Sequence, residues 1–511
     1  MTDEMKAKRE KLFSSPKNGY DLVDQAALEA MEAYCETYKQ YLDNGKTERE
    51  CAAYTVELAQ AQGYVPYQRG MSLKPGDKVY RVNRGKSVML AKIGRQDLSH
   101  GAQIVACHID SPRLDFKPHP LYEDSDFAYG KTHYYGGIRK YQWVAIPLEL
   151  RGVVVLRDGT VVKVVLGQGS EPKFVITDLL PHLGAEQGKK PLNEAIPGEN
   201  LNLLMGSRPL GEEGDSDRVK LRVLDMLHEK YGICEDDFTS AELEVVPAFN
   251  ATDLGLDRSL IGAYGHDDRV CGYAALKGLF DIDVPEKTAV CMLADKEEIG
   301  SEGCSGVITK WAKQAFACLS FEPMRPGNTL VHQRKGVTAF QIACTGIRGH
   351  AGANYLKCAS AIQQLCAVVN ELYMLRDDEK LLSINVGVIH GGTAENVVCD
   401  EATLRAEVRS FDPAAIDAAW AKIEAICAKP GIPGTTTTLK KIAAHPPFHA
   451  NEKSAKLLEL VYAQAQALGM TVAAEDTGGA GDVAFAAMES LAALDGFGLL
   501  GENAHTTKEC G

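Results

Sequence analysis

The alternation of apolar and polar residues predicts helices at the start of the chain and buried strands after them. Apolar residues recur at three- and four-residue spacing over 21–44 and 47–62, which predicts two helices. Continuous apolar runs at 87–93 and 102–107 predict buried strands. The second run ends directly before His108. Open α/β sheets carry their chemistry at such strand ends, so this position is a candidate for a functional site.

The same order returns in the middle of the chain, where apolar runs end in acidic residues. Asp267-Asp268 precedes a predicted helix at 270–280, and the predicted strand 288–294 is followed by Glu297 and Glu298. A third predicted strand, 315–321, is followed by Glu322. The repeated order of strand, acidic tip and helix is typical of a parallel sheet.

Two stretches differ from this pattern and predict inserted domains. Residues 119–248 are rich in predicted strands, at 143–150, 152–156 and 161–166, and Asp158-Gly159 is a hairpin signal between the last two. For residues 333–439 the simplest fold that accounts for the predicted elements is one four-stranded sheet with two helices. The predicted elements there are strands at 337–343, 382–389 and 403–410 and helices at 356–375 and 413–428.

The sequence therefore predicts an α/β fold. Its core is a mixed sheet flanked by helices, formed by residues 1–118, 249–332 and 440–511. Into it are inserted a β-rich domain and an α+β domain.

The strand-end residues together predict a two-metal site. Two zinc-like ions about 3.5–4 Å apart need a bridging carboxylate, further imidazole and carboxylate ligands, and one unligated carboxylate for the proton of an attacking water. Each motif alone has an ordinary explanation: an acidic pair caps helices, and Glu297-Glu298 could be a solvated turn. Their joint placement at the ends of strands favours the metal site. The candidate residues are His108, Asp110, Asp267, Glu297, Glu298, Glu322 and His505.

Composition limits the classes of binding partner and indicates the cellular compartment. A net charge of -14 and the lack of a Lys/Arg-rich run argue against nucleic acid. The first 16 residues contain no apolar signal region, and no apolar run approaches ~18 residues, so neither secretion nor a membrane partner is expected. The 14 cysteines include no C-x-x-C pair. We expect a cytoplasmic protein with buried, reduced cysteines rather than a disulfide framework or thiolate zinc site.

Five segments in the first part of the chain resemble the aspartyl aminopeptidase family. They are 108–114 (HIDSPRL), 134–143 (YYGGIRKYQW), 177–183 (TDLLPHL), 265–271 (GHDDRVC) and 295–301 (DKEEIGS). The resemblance covers roughly residues 15–305 and includes the first insertion. It implies a zinc-peptidase catalytic domain.

Later segments resemble a different family, the carboxypeptidases, desuccinylases and aminoacylases with a lid domain. These segments are 349–353 (GHAGA), 385–398 (NVGVIHGGTAENVV), 406–409 (AEVR), 478–482 (GGAGD), 495–498 (DGFG) and 504–506 (AHT). Glu322 also departs from the aspartate that aspartyl aminopeptidases carry there. Both families belong to one broader group of co-catalytic zinc hydrolases, so the combination is physically coherent.

The resemblance implies a role for each candidate. His108, Asp267 and Glu322 would hold one metal, and Asp267, Glu298 and His505 the other; the metals would be zinc, with cobalt or manganese as alternatives. Glu297 would be the general base, and Asp110 would orient His108. His350 and Asn396 would reach the active site of a neighbouring subunit, Arg409 would bind a substrate carboxylate, and His133 is a competing cross-subunit histidine.

The leading functional hypothesis is a metallo-aminopeptidase that removes an N-terminal residue from a peptide, with an acidic residue as the candidate. A carboxypeptidase or N-acyl-amino-acid amidohydrolase is the close alternative, supported by Arg409 and Glu322. The remote alternative is a non-catalytic assembly protein on the same fold. Glu297 argues against it, because a protein without catalysis does not need an unligated carboxylate beside the metals. The lid resemblance and the strand-rich insertions predict a homo-oligomer, a dimer or larger.

Overall fold

The computed structural model describes residues 18–300, 305–322, 324–429, 431–488 and 491–498. None of the helices in these ranges combines the length and the apolar character that a membrane span requires.

The first part of the chain contains the two predicted helices and four strands. The helices begin later than the apolar pattern suggests, because the Asp24 carboxylate accepts a hydrogen bond from the Ala27 amide and the Thr47 hydroxyl accepts one from the Glu50 amide. Each cap residue therefore marks the helix start. The elements are α1 (Gln25–Asn44), α2 (Glu48–Ala61), β1 (Val65–Pro66), β2 (Lys78–Asn83), β3 (Ser87–Lys92) and β4 (Ala102–His108).

The first insertion folds into an antiparallel six-stranded sheet. Its elements are β5 (Arg113–Asp124), β6 (Phe127–Tyr135), β7 (Leu148–Val155), β8 (Val161–Leu166), α3 (Leu192–Ala195), β9 (Leu203–Gly206), α4 (Arg218–Tyr231) and β10 (Ala241–Pro247), with strand order β8-β7-β10-β5-β6-β9. The β7–β8 hairpin was predicted. The two strands predicted at 143–150 and 152–156 are wrong, since one strand begins at Leu148 and the left-handed φ of 59° at Ala145 interrupts the extended run before it.

Helix α4 was not predicted within this β-rich stretch. Val219, Val223 and Leu227 recur at four-residue spacing and are buried in the same hydrophobic cluster as the sheet. That spacing is the helical signal that the strand-rich surroundings obscured.

The chain then returns to the central sheet. The elements are β11 (Thr252–Leu254), β12 (Leu260–Gly262), α5 (His266–Asp281), β13 (Thr288–Ala294), α6 (Ser305–Ala312) and β14 (Ala317–Ser320). All seven residues of β13 are buried, which explains its uninterrupted apolar sequence: a strand covered on both faces has no polar side.

The second insertion contains a four-stranded antiparallel sheet with two helices packed against it, as predicted. Its elements are β15 (Thr329–Arg334), β16 (Gly336–Thr345), β17 (Gly349–His350), α7 (Ala361–Tyr373), β18 (Ser383–Gly391), β19 (Val397–Val398), β20 (Glu401–Ser410), α8 (Pro413–Ala428) and β21 (Thr436–His445). The sheet order is β18-β20-β16-β21. Helix α7 begins five residues after its predicted start at 356, because the Ser360 hydroxyl caps the Gln363 amide.

The last described elements are α9 (Glu452–Ala467), β22 (Ala473–Thr477), α10 (Val483–Ala487) and β23 (Ala492–Leu494). Of these, β23 joins the central sheet and β22 pairs with β15 in a separate two-stranded sheet. The central sheet has seven strands in the order β1-β2-β3-β13-β4-β14-β23. Strands β13, β4, β14 and β23 run parallel, whereas β3 runs antiparallel to β2 and β13. The predicted α/β class with a mixed sheet is confirmed. The domain boundaries stay a prediction, and β21 continues past 439.

Candidate metal centre

Parallel pairing brings the predicted acidic and imidazole residues to one edge of the central sheet. His108 ends β4 and is in register with Ala294, the last residue of β13. Glu297 and Glu298 lie in the short 3-10 turn that follows β13. Glu322 comes two residues after the end of β14. The carboxyl ends of parallel strands meet at one edge, so residues far apart in sequence become neighbours.

His108, Asp268 and Glu322 form a group of donors that could hold a metal ion. One donor atom from each lies within 4.8 Å of the others. Asp267 is close as well, because its Oδ1 is 3.3 Å from His108 Nε2, and Glu297 Oε2 is 3.9 Å from the same nitrogen. An imidazole nitrogen surrounded by carboxylate oxygens is a donor set that zinc accepts.

Asp110 determines which nitrogen of His108 faces these carboxylates. His108 Nδ1 lies 3.0 Å from the Asp110 carbonyl oxygen and 3.4 Å from Asp110 Oδ1. Both of these oxygens are acceptors, so Nδ1 carries the proton and Nε2 is left to bind a cation. Both side chains are buried, which keeps the imidazole in this orientation.

The Asp110 carboxylate also holds the turn that carries the two glutamates. The amides of Glu297 and Glu298 donate to its two oxygens at 3.2 and 3.3 Å, and the Tyr135 hydroxyl donates to Oδ2 at 2.8 Å. Burial alone would raise the pKa of Asp110, but the contacts with His108 and Tyr135 outweigh it and hold that pKa below its usual value. Asp110 therefore stays ionised as an acceptor.

The remaining carboxyl groups crowd each other, and the positive charge of His108 offsets their burial and mutual repulsion only in part. Burial, reinforced by neighbouring carboxylates, raises the pKa of Glu297 to about 8 and the pKa values of Glu298 and Glu322 to about 7. Burial likewise raises the pKa of Asp268, and its Oδ2 is a buried acceptor that makes no hydrogen bond in the described part of the chain. Divalent cations would relieve this repulsion, so the residues present fit a metal centre.

A small cavity lies between the donors. It has a volume of about 30 Å³, and its polar lining includes His108, Glu297, Glu322 and Asp482. This volume is sufficient for a water- or ion-sized group. Asp482, from the glycine-rich loop before α10, was not assigned a role from the sequence.

The predicted residues His350 and Asn396 lie together away from the central sheet: His350 ends β17, and Asn396 lies in the turn directly before β19, which pairs with β17. The Ala351 amide donates to the Asn396 carbonyl oxygen at 2.9 Å. His350 is exposed, and its Nδ1 accepts from the amides of Gly352 and Ala353 at 3.1 and 3.2 Å. Because Nδ1 is an acceptor, the proton of the neutral ring is on Nε2, which can donate a hydrogen bond.

The other predicted substrate-binding residues occupy separate places. Arg409 makes a two-bond ion pair with Glu407 and donates to the Gly478 carbonyl oxygen at 2.8 Å. His133 is exposed on β6 and stacks on Tyr134. His505 lies outside the described residues.

Sequence reasoning missed one buried ion pair beside the site. Arg334 pairs with Asp495, and both side chains are buried. After burial, Asp495 is the largest cause that raises the pKa of Glu322. Arg334 also donates toward the carbonyl oxygens of Gly479 and Ala480 at 3.4 Å, so it joins the glycine-rich loop to the site. A separation of 161 residues gives no local sequence signal for this pair.

An α/β sheet whose strand ends gather an imidazole and several carboxylates defines a metal-dependent hydrolase. Comparison with known proteins gives the family. The model of aminopeptidase I zinc metalloproteases (M18) matches residues 41–338, more than half of the chain, and the chain belongs to this family. It is therefore a metallo-aminopeptidase by class, as the sequence predicted. A second model, the peptidase dimerisation domain, matches residues 332–435.

Individual relatives include both aminopeptidases of the M18 family and a carboxypeptidase. The probable M18 family aminopeptidase 1 of Clostridium acetobutylicum is 44% identical over 311 residues, which cover 60% of this chain and 67% of that protein. The corresponding protein of Thermotoga maritima is 46% identical over 289 residues, 56% of this chain and 63% of that one. Carboxypeptidase G2 of a Pseudomonas species is 30% identical over 223 residues, 43% of this chain and 54% of the relative. The predicted two-family resemblance is confirmed.

The solved structure of the Thermotoga maritima M18 aminopeptidase matches with a TM-score of 0.63 at 28% identity, over 94% of this chain and 92% of that one. The Clostridium acetobutylicum aminopeptidase I structure matches with a TM-score of 0.61 at 26% identity, over 95% and 93%.

Proposed function

We propose that this protein is a two-zinc aminopeptidase that cleaves the first residue from a peptide. The observation that carries the proposal is the set of donors within 4.8 Å at the ends of parallel strands, with Glu297 beside it. One ion would be held by His108, Asp267 and Glu322, and the other by Asp267, Glu298 and His505. The group within 4.8 Å contains Asp268 rather than Asp267. Asp267 is nevertheless the bridging candidate, because its Oδ1 is 3.3 Å from the metal-facing nitrogen of His108 and its side chain is accessible to a second ion, whereas Asp268 is buried.

Side chains of the protein transfer the proton and stabilise the oxyanion. Bound divalent ions would supply activation of the attacking water and polarisation of the scissile carbonyl. Glu297 takes the proton of that water and later delivers it to the leaving amine. The Glu297 amide is hydrogen-bonded to Asp110, so the position of this base is fixed relative to His108. A positioned imidazole such as His350 from a neighbouring subunit would donate to the oxyanion.

The engagement of Arg409 favours the aminopeptidase over the carboxypeptidase or amidohydrolase. Those alternatives use the matching arginine for a substrate carboxylate, whereas here both of its bonding edges are occupied by Glu407 and the Gly478 carbonyl. Releasing the guanidinium would cost an ion pair and a charge-assisted hydrogen bond. The resemblance to aspartyl aminopeptidases makes an acidic N-terminal residue the substrate candidate.

A panel of three substrate types tests the function. The zinc-loaded enzyme is expected to hydrolyse an aminoacyl anilide and a dipeptide with a free amino group, and to leave an N-acyl amino acid uncut. Aspartyl and leucyl anilides compared side by side test the acidic preference. Faster hydrolysis of the N-acyl amino acid would replace the aminopeptidase by the amidohydrolase, and no hydrolysis of any substrate would favour the assembly protein.

We further propose that the protein works as a homo-oligomer in the cytoplasm. The match to a peptidase dimerisation domain at 332–435 supports assembly, and β18, an edge strand of the four-stranded sheet, exposes Val388 and Ile389. An exposed edge of this kind is suited to pairing between subunits.

Mixing two inactive variants tests whether His350 serves a neighbouring subunit. A mixture of His350→Ala and Glu297→Gln subunits, exchanged by dilution and reassembly, is expected to regain part of the activity. A hybrid site combines the intact Glu297 of one chain with the intact His350 of the other. The matched control is Glu297→Gln mixed with His108→Ala, which should regain nothing because both lesions act within their own subunit. Recovery in neither mixture, or a fully active monomer, would contradict the arrangement.

A further inference from the structure

The inserted six-stranded sheet contacts the metal centre through a tyrosine hydroxyl. Tyr135, the last residue of β6, donates to Asp110 Oδ2 at 2.8 Å. Asp110 is the residue that orients His108 and accepts the amides of Glu297 and Glu298. A side chain from the insertion therefore acts on the carboxylate that accepts the amides of Glu297 and Glu298. One oxygen of this carboxylate lies 3.4 Å from His108 Nδ1, whose shorter contact, at 3.0 Å, is to the Asp110 carbonyl oxygen.

The ring of Tyr135 is fixed by a neighbouring arginine. Arg113 is paired with Tyr135 in the register between β5 and β6, and its guanidinium carbon lies 3.9 Å from the centroid of the tyrosine ring. The Arg113 side chain is 4% exposed, so this contact is shielded from water. A guanidinium stacked on an aromatic face at this distance restricts the ring to one position.

Arg113 is itself held by an ionic cluster of the buried Glu48 and Glu244 and the partly exposed Asp115. Its Nη1 lies 3.1 Å from Glu48 Oε2, and its Nε lies 2.8 Å from Asp115 Oδ1 and 3.3 Å from Glu244 Oε2. Glu48 belongs to α2 and Glu244 to β10, so the cluster joins three elements. Displacing the arginine would remove the ion-pair partner of the buried Glu244 and leave Glu48 with Lys86 alone, which makes the arrangement rigid.

The hydroxyl of Tyr135 bonds to Asp110, whereas the ring alone makes the contact with Arg113. Phenylalanine would keep the ring on Arg113 and remove only the oxygen. Asp110 would then lose its shortest hydrogen bond, and Oδ2 would retain the Glu298 amide at 3.3 Å. Asp110 is fully buried, so water cannot easily replace the missing donor. Its carboxylate would gain rotational freedom and would hold the turn of Glu297 and Glu298 less firmly. His108 would keep its bond to the Asp110 carbonyl oxygen and lose part of its contact with Oδ1.

We propose that Tyr135 is a positioning residue for the metal centre, through which the inserted sheet and its ionic cluster hold Asp110 in place. The inference rests on the metal centre proposed above. It gives the insertion, which supplies no ligand of its own to that centre, a defined part in the reaction: setting the geometry of the ligands. Groups that hydrogen-bond to metal ligands commonly change metal affinity by 10- to 100-fold when removed.

The test compares two tyrosine-to-phenylalanine variants of the full chain. Tyr135→Phe is expected to weaken zinc binding by about 10-fold or more in competition with a chromophoric chelator. It should also alter the visible spectrum of the cobalt-substituted protein. Tyr231→Phe is the matched control, because the Tyr231 hydroxyl donates to the Val165 carbonyl oxygen at 2.8 Å within the same inserted domain. This control should bind zinc as the wild type does.

Three results would overturn the positioning role. Wild-type zinc affinity and cobalt spectrum in Tyr135→Phe, with metal lost in His108→Ala, would leave the metal centre in place without it. An equal loss of affinity in both phenylalanine variants would assign the effect to general loosening of the inserted domain. If His108→Ala bound zinc as the wild type does, the metal centre itself would be wrong, and the role of Tyr135 would fall with it.

Discussion

Replacing Glu297 by glutamine is expected to lower turnover at least ~100-fold while both metals stay bound, the usual scale for loss of a positioned general base. Glutamine has nearly the same shape, and the bond from the residue 297 amide to Asp110 does not involve the side chain. The fold and the ligand positions should therefore survive. What is lost is the group that accepts the proton of the attacking water.

The neighbouring glutamate provides the matched control. Glu298→Gln changes the adjacent position in the same turn by the same chemical substitution, but it alters a proposed ligand, so it should lower metal content. Steady-state rates and elemental analysis of both variants separate the two roles. Loss of metal in Glu297→Gln, with little loss of rate per bound metal, would show that the assignments must be exchanged.

Removing Asp267 is expected to have the largest effect on metal content, from two ions per chain to nearly none. A bridging carboxylate is shared by both ions, so its loss affects both, whereas Glu322→Ala should lose one ion. Asp268→Ala is the informative third variant. Asp268 is the buried member of the acidic pair and the one grouped with His108 and Glu322, and we expect its loss to weaken one ion only.

Elemental analysis of the three variants distinguishes the carboxylates. Asp236, an exposed residue paired with Arg157, gives a control variant that should keep both metals. Two metals per chain in Glu322→Ala would remove Glu322 from the centre. A greater loss in Asp268→Ala than in Asp267→Ala would move the bridging role to Asp268.

The sequence predicts the location of the site well because strand ends have a strong local signal. An apolar run followed by an acidic or imidazole residue identifies β4, β13 and β14, and parallel pairing then brings their ends together. The division of labour within Asp267-Asp268 is harder to predict. Both residues have non-helical backbone angles inside the first turn of α5, so helical periodicity does not indicate which carboxylate faces the ions.

Other features depend on contacts that no local pattern encodes. The bond from Tyr135 to Asp110 joins residues 25 apart, and the Arg334–Asp495 pair joins residues 161 apart. Strand β7 begins late because of a left-handed residue, Ala145, which carries no glycine signal in the sequence. The sequence pattern therefore did not indicate that Tyr135 and the Arg334–Asp495 pair support the site.

Diffraction data collected on either side of the zinc absorption edge, from crystals of the zinc-loaded protein, test the central claim most directly. We predict two anomalous peaks about 3.5–4 Å apart, between the ends of β4, β13 and β14 and the first turn of α5, with His108 Nε2 coordinated to one of them. The absence of any peak at this edge of the sheet, or zinc bound only elsewhere on the chain, would contradict the account.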